Sequence, residues 1–509
     1  MSRDGTKAAA FPVDRNDLDL IKNAHPAHWR NPEPTGPYNL VVIGAGPAGL
    51  TAAREAASLG AKVALIERDL IGGACINVGC IPSKTLIRTA RLYADMRDAE
   101  NFGGDTPERL RVDFQRAMTR MRQIRQRISR ADSAETIASE GIDLYFGEAR
   151  FSGRDTIVVA DKTLHFRKAL VATGARPSLP EIPGLVEAGY LDNENVFDLV
   201  ERPQKLLVIG GGPLGCEAAQ AFCLLGVKVI LAQRDPMFLP GEERDAAQIL
   251  SDALAREGVE VRLNTEVVAV RTKDGKKLAD LVRDDDTTTI SVDEILTGIG
   301  RSPNVEGLDL EIAGVAYDAN GIKVDDYLKT TNPLVYAAGD VCLEHKFTHT
   351  AEATARIVVR NALFFGRMRL SELIVPWCTY TDPEIAHVGL YPAEARQKAI
   401  PVKTYTVLMH DVARAVMDGE EEGFVKVHVK EGSDRILGAT VVASHAGEMI
   451  NAVSLAIASG MGLHALADVI HPFPTQAEGI KMAGDAYRRT RRTPLWTRLT
   501  KRWLAWSRR

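Results

Sequence analysis

Two cysteines separated by four residues, Cys75 and Cys80, lie in the segment IGGACINVGCIPSKTLI. Glycines flank the first, and a proline-serine start follows the second, the pattern of a loop entering a helix. A helix N-terminus lowers a thiol pKa and so stabilises the thiolate, the reactive form. Two thiols at this spacing can close a small disulfide, accept two electrons and pass them on by exchange. Paired structural cysteines are the bland alternative, and the glycine-rich context disfavours it. Cys216, Cys223, Cys342 and Cys378 have no such context and read as structural.

The pair follows directly on YNLVVIGAGPAGLTAAREAASLGAKVALIER, which a later segment, QKLLVIGGGPLGCEAAQAFCLLGVKVILAQR, repeats in kind. Each is an apolar strand, a glycine turn, an alanine-rich helix and a second strand, the βαβ unit that binds dinucleotides. In the first, Gly44 permits the tight turn, Gly46 lets a pyrophosphate approach, and Gly49 lets the helix lie close to the strand. Glu67 ends the second strand, where a carboxylate can accept from an adenosine ribose. Gly210, Gly212 and Gly215 take the same places in the second unit. There Gln233 stands where Glu67 stood, and Arg234 follows it. Losing the acid and gaining a guanidinium favours a 2′-phosphate, hence NADPH, with NADH the alternative.

The 509 residues are too many for one core and imply about three or four domains. With 45% hydrophobic and 26% charged residues the chain is of the soluble globular class. A formal charge of -4 argues against nucleic acid as the main partner. No apolar run is long enough to span a bilayer, the first residues carry no secretory h-region, and six cysteines are too few for a disulfide scaffold. These features point to a cytoplasmic α/β enzyme.

The motif GGACINVGCIPSK resembles the signature of the flavoprotein pyridine nucleotide-disulfide oxidoreductases. VATGARP, GIGRSPN, YAAGD, TYTDPEIAHVG and HPFPTQAEGIK follow in the family's order. The resemblance runs from residue 38 to about 487. It implies two Rossmann-like domains, for FAD and NAD(P), and a C-terminal α+β dimerisation domain. The expected boundaries are an arm (1–36), a first FAD-binding part (37–175), an NAD(P) domain (176–300), a second FAD-binding part (301–368), an interface domain (369–487) and a tail (488–509). Roles carry over residue by residue. Cys80 would be the thiol beside the flavin and Cys75 the interchange thiol. Lys84 would lie near flavin N5, paired with Glu217. Asp340 would hold the ribityl chain, with Gly73, Thr173, Gly174 and Gly300 also in the cofactor set. The resemblance implies a homodimer as well.

Thiol-disulfide members of this family end in a His-Pro-Thr-x-x-Glu motif whose histidine is the acid-base group. Here Phe473 stands in its place, Glu478 remains, and His471 precedes by two residues. The segment resembles more closely that of the mercuric reductases, which carry an aromatic there and continue E-G-x-K. A metal ion needs soft thiolates more than a proton donor. Yet no cysteine follows Cys378 and residues 1–36 hold no CxxC pair. The expected acceptor is a metal ion such as Hg(II), against a small disulfide, another electrophile, or direct flavin-to-quinone transfer.

Residues 488–509 carry nine arginines and lysines and no acid, with Leu495, Leu499, Trp503 and Trp506 at helical spacing. A basic amphipathic helix of this kind suits a membrane surface or docking on its own dimer.

Overall fold

The structure, a computed structural model, describes residues 14–105, 111–491 and 494–508. Residues 1–13 of the expected arm and 492, 493 and 509 of the tail lie outside the described residues. The chain divides into two compact units, Met1–Pro236 with Gly258–Leu373, and Met237–Glu257 with Ile374–Arg509.

The described part of the arm is more firmly held than its polar, proline-containing composition suggests. Asp14 caps helix α1 (Arg15–Ala24), its side chain accepting from the amides of Asn16 and Asp17. Asp17, 1% exposed at its side chain, pairs with the equally buried Arg125 at 2.6 Å and lies 3.5 Å from Arg122. Trp29 donates to the Leu144 carbonyl at 3.2 Å and meets Phe146 edge-on. The Asn31 amide both donates to and accepts from the Phe146 backbone, covering a strand edge. Asp17→Asn would leave a buried guanidinium uncompensated, so it should cost about 3–5 kcal/mol of stability. Denaturant unfolding of the flavin-loaded protein measures this, and an unchanged midpoint would count against a structural role for the arm.

In the first unit, β1 (Tyr38–Ile43), α2 (Pro47–Ser58) and β2 (Val63–Glu67) form the first repeat. Pro47 begins α2 with its φ already suited to a helix. Ala48, Gly49, Ala52, Ala53 and Ala56 line its buried face, and their small size lets the helix lie close to the sheet. The redox segment follows as α3 (Gly73–Val78) and α4 (Cys80–Arg97), with α5 (Phe114–Ser129) beyond. Strands β3 (Asp143–Phe146) and β4 (Lys162–Val171) complete the central order β3-β2-β1-β4, all parallel, with Val41 opposite both Ala64 and Ala169.

The second repeat builds the same order from β5 (Lys205–Ile209), α6 (Pro213–Leu224), β6 (Lys228–Ala232), β7 (Glu260–Arg262) and β8 (Glu294–Thr297), arranged β7-β6-β5-β8. The chain then returns to the first sheet as β9 (Val335–Ala337), parallel to β4, and enters α7 (Thr348–Leu363). In both sheets the order reverses at the first strand of the repeat. That is where a doubly wound sheet opens a crevice for a ligand.

The second unit is a five-stranded antiparallel sheet of β10 (Pro376–Thr379), β11 (Glu384–Gly389), β12 (Val402–Leu408), β13 (Phe424–Lys430) and β14 (Ile436–Ala443). Its spatial order is β10-β11-β14-β13-β12. Helices α8 (Ala446–Ala458) and α9 (Glu478–Thr490) enclose its core of Val425, Val427, Val441, Met449 and Ile480. The helix Arg244–Glu257, from within the expected NAD(P) domain, groups with this unit. Lys426 reaches Glu243 and Asp245, and Arg256 pairs with Glu422 at 2.6 Å. The tail forms α10 (Pro494–Trp506), on which Leu495, Leu499, Trp503 and Trp506 are all exposed. No helix among the described residues is long and apolar enough to cross a membrane.

Candidate active site

The two glycine turns are built alike. A Cβ on Gly44 would stand 2.4 Å from the Ala172 carbonyl oxygen, and one on Gly49 would stand 1.8 Å from the Gly44 carbonyl oxygen. Gly210 and Gly215 meet the equivalent obstacles in the second unit. These four are fixed by the protein's own packing. Gly46 and Gly212 are different, because a Cβ on Gly212 meets nothing within 4 Å and one on Gly46 only ordinary contact with Gly73. Space is left at each helix N-terminus, where a pyrophosphate is favoured.

Glu67 accepts from the amide of Ala45 at 2.8 Å and of Asp69 at 2.9 Å. Burial pushes its carboxyl above the usual range, against the lowering by those amides. Gln233 repeats the first contact, accepting from the Gly211 amide at 2.6 Å. Sequence order alone does not reveal this shared duty of bracing the glycine turn. Arg234 is 83% exposed with Glu266 at 3.9 Å, leaving its fork of donors to solvent.

At the FAD side, Thr173 donates to the Asn304 carbonyl at 2.7 Å, and the Asn304 amide donates to the Gly174 carbonyl at 2.9 Å. VATG is thereby stitched to the strand that follows Gly300. The Asp340 carboxylate, 18% exposed at its side chain, has Arg301 at 3.6 Å as its charged neighbour. Burial raises its pKa. A carboxylate so placed can accept from ligand hydroxyls, and with the open cradle at Gly46 it fits a bound FAD.

Cys75 lies in α3 and Cys80 opens α4, and both are free thiols. Asn77 between them donates to the carbonyls of Ile71, at 3.1 Å, and Gly73, at 2.9 Å. Arg125 donates to the Asn77 carbonyl at 2.8 Å, so the Asp17–Arg125 pair supports the redox segment from behind. The Cys80 thiol is lowered to about 6. Its hydrogen bond from Cys75 is the largest favourable cause, with Lys84 and Thr348 adding to it against the cost of burial. Cys75 moves the opposite way, held protonated as the donor and by burial. In the dithiol form the arrangement therefore favours one thiol and one thiolate.

Lys84, one turn along α4 from Cys80, donates to Glu217 of α6 at 2.6 Å. Glu217 is 6% exposed, so the pair fixes the ammonium near the thiolate while Lys84 stays partly open. Thr348 at the start of α7 stands 3.6 Å from the Cys80 sulfur. Thr348 escapes a motif reading because it lies far along the chain and only the return of β9 to the first sheet delivers it. Glu478 begins α9 in the other compact unit. His471 has Nδ1 3.1 Å from the Val469 carbonyl, and Phe473 is 69% exposed. Gln476, not singled out from sequence, is buried and donates to Glu420 at 2.7 Å, which anchors this segment.

Two parallel dinucleotide-type sheets with a thiol–thiolate pair between an ammonium and a helix start define a dithiol oxidoreductase. The chain belongs to the pyridine nucleotide-disulphide oxidoreductases, matching that family over residues 38–355 and its dimerisation domain over 375–483. It is 34% identical to the mercuric reductase of Staphylococcus aureus over 450 residues, 88% of this chain and 82% of that one. It is 36% identical to the dihydrolipoyl dehydrogenase of Thermus scotoductus over 459 residues, 88% and 97% of the two chains. Among solved structures it resembles the HOCl-induced flavoprotein disulfide reductase RclA of Escherichia coli, with TM-score 0.79, 30% identity and 88% and 99% covered. LpdA of Mycobacterium tuberculosis gives TM-score 0.80 at 28% identity, with the same shares covered. The expected fold class, enzyme class and use of FAD and NAD(P)H follow from membership, and the dimerisation domain supports a homodimer.

Proposed function

We propose that the protein uses NADPH to reduce a metal ion, Hg(II) first, through the Cys75–Cys80 dithiol. The observation that carries this reading is Phe473, which leaves the place of the proton-donating histidine without a titratable group. Reducing a disulfide requires that a departing thiolate be protonated, whereas a soft cation is bound by thiolates as they stand. Mercuric reductases among the relatives and a Cu(II) complex of the RclA neighbour support a metal acceptor.

A bound FAD would supply the two-electron relay between the nicotinamide and the disulfide. The protein's own part begins with reduction of the S–S bond, after which Cys80 rests as thiolate and Cys75 keeps one proton. Lys84 balances the thiolate charge and Glu217 holds Lys84 in place. When the dithiol gives two electrons to the cation, the S–S bond closes again and the Cys75 proton leaves to solvent. Arg234, with no acid at position 233, supports the choice of NADPH over NADH. Glu478 and its neighbours would complete the site from the partner subunit of the homodimer.

Anaerobic titration with NADPH and with NADH, then with Hg(II), glutathione disulfide and a quinone, tests the reading. A long-wavelength thiolate–flavin absorbance should appear first with NADPH, and Hg(II) should discharge it with sustained turnover. Discharge by a disulfide alone would make the protein a disulfide reductase, the second reading that the dihydrolipoyl dehydrogenase relative favours. The site of action follows from the same chemistry, the cytoplasm, where NADPH is made. The exposed apolar and basic residues of α10 suit an anionic membrane surface or the protein's own dimer. Co-sedimentation with anionic vesicles, lost on removing residues 488–509, would decide for the membrane.

A further inference from the structure

Helix α7 brings a second side chain toward the dithiol. Thr348, in its first turn, stands 3.6 Å from the Cys80 sulfur. Glu352 lies four residues on, and residues i and i+4 of a helix share a face. Glu352 is half-buried and makes no hydrogen bond or ion pair among the described residues. The lysine at the dithiol and the cations next along this stretch of chain are otherwise engaged. Lys84 is held by Glu217, and Lys346 donates to the carbonyls of Asp340 and Leu343. Arg356, the next residue along that face, leans toward Glu55 at 3.9 Å, as does Arg360. The Glu352 charge thus has no ion-pair partner among the described residues, and its field is among the causes that keep the Cys75 thiol protonated.

We propose that Glu352 is a specificity-determining residue, a fixed negative charge beside the interchange thiol Cys75 that selects cationic acceptors and repels anionic ones. The inference rests on Cys75 being the thiol that meets the acceptor. It deepens the proposed function by naming the charge class of acceptor. A metal cation and a disulfide bearing ammonium groups both qualify, while glutathione disulfide, with its carboxylates, does not. Like charge close to a reacting centre and partly shielded from solvent slows encounter, and opposite charge speeds it.

The test reads the field at Cys75 without needing turnover. The FAD-loaded protein, reduced with NADPH, is alkylated with iodoacetate or with neutral iodoacetamide, and modification of Cys75 is followed by mass spectrometry. Glu352→Gln should raise the iodoacetate-to-iodoacetamide rate ratio by about three- to tenfold, and Glu352→Lys further. Any change in the Cys75 pKa affects both reagents alike and cancels in the ratio. High salt should compress the difference. In turnover, kcat/KM for cystamine relative to glutathione disulfide should fall in the same order. A ratio unchanged in both variants overturns the proposal. A shifted ratio in a protein that does not turn over Hg(II) keeps charge selection and removes only the mercury reading.

Discussion

Cys75→Ser should cut NADPH-dependent reduction of Hg(II) by on the order of a thousandfold or more, while the long-wavelength thiolate–flavin absorbance survives. The two outcomes separate because the proposed duties of the cysteines differ. Cys80 carries the lowered pKa and the neighbouring ammonium, and a serine at position 75 still has a hydroxyl to donate to its sulfur. What serine cannot do is close a disulfide, so no dithiol is available for the cation. Cys80→Ser should remove the absorbance and the turnover together. Quinone reduction is the informative control, because electrons leaving directly from the flavin need neither sulfur. If Hg(II) turnover in Cys75→Ser stays within tenfold of the unsubstituted protein, the dithiol is not the route, and direct transfer from the flavin takes its place.

The second large effect is on the acidity of Cys80. In the unsubstituted protein the thiolate should fill in as pH rises through about 6. Lys84→Met removes the cation that favours the charged form and leaves the buried Glu217 carboxylate facing the sulfur. Both changes disfavour the thiolate, so the apparent pKa should rise by about one to three units. Glu217→Gln works the other way. It keeps the ammonium and removes a negative charge that opposes ionisation, so the pKa should fall, by about one unit. Spectroscopic pH titration of the reduced protein reads both shifts. Opposite signs identify electrostatics as the cause, whereas two upward shifts would mean that Glu217 acts only by holding Lys84 in position.

Much of this site is legible in the chain because its parts are local. The strand, glycine turn, helix and second strand of each repeat are contiguous, and Cys75, Cys80 and Lys84 share one loop-to-helix segment whose chemistry is set by spacing. Glu67 and Gln233 are placed by their offset from the glycines, though their bracing of the turn amides appears only in three dimensions. The arm is where composition misleads. A polar, proline-containing stretch resembles a linker, but the partners of Asp17, Trp29 and Asn31 lie on elements more than a hundred residues away.

The sequence by itself determined the two dinucleotide units, the redox pair and the loss of the imidazole at Phe473, since each depends on residue type at short range. Tertiary structure decided which thiol is acidic and which groups gather round the pair. Cys80 is the thiolate because Cys75 donates to it, Lys84 stands one turn along α4 held in place by Glu217 of α6, and α7, far along the chain, brings Thr348. Glu352 shares the face of α7 that carries Thr348, and α7 begins once β9 has returned to pair with β4. Electrostatic influence falls off with distance in space rather than along the chain, so only the folded protein could assign these roles.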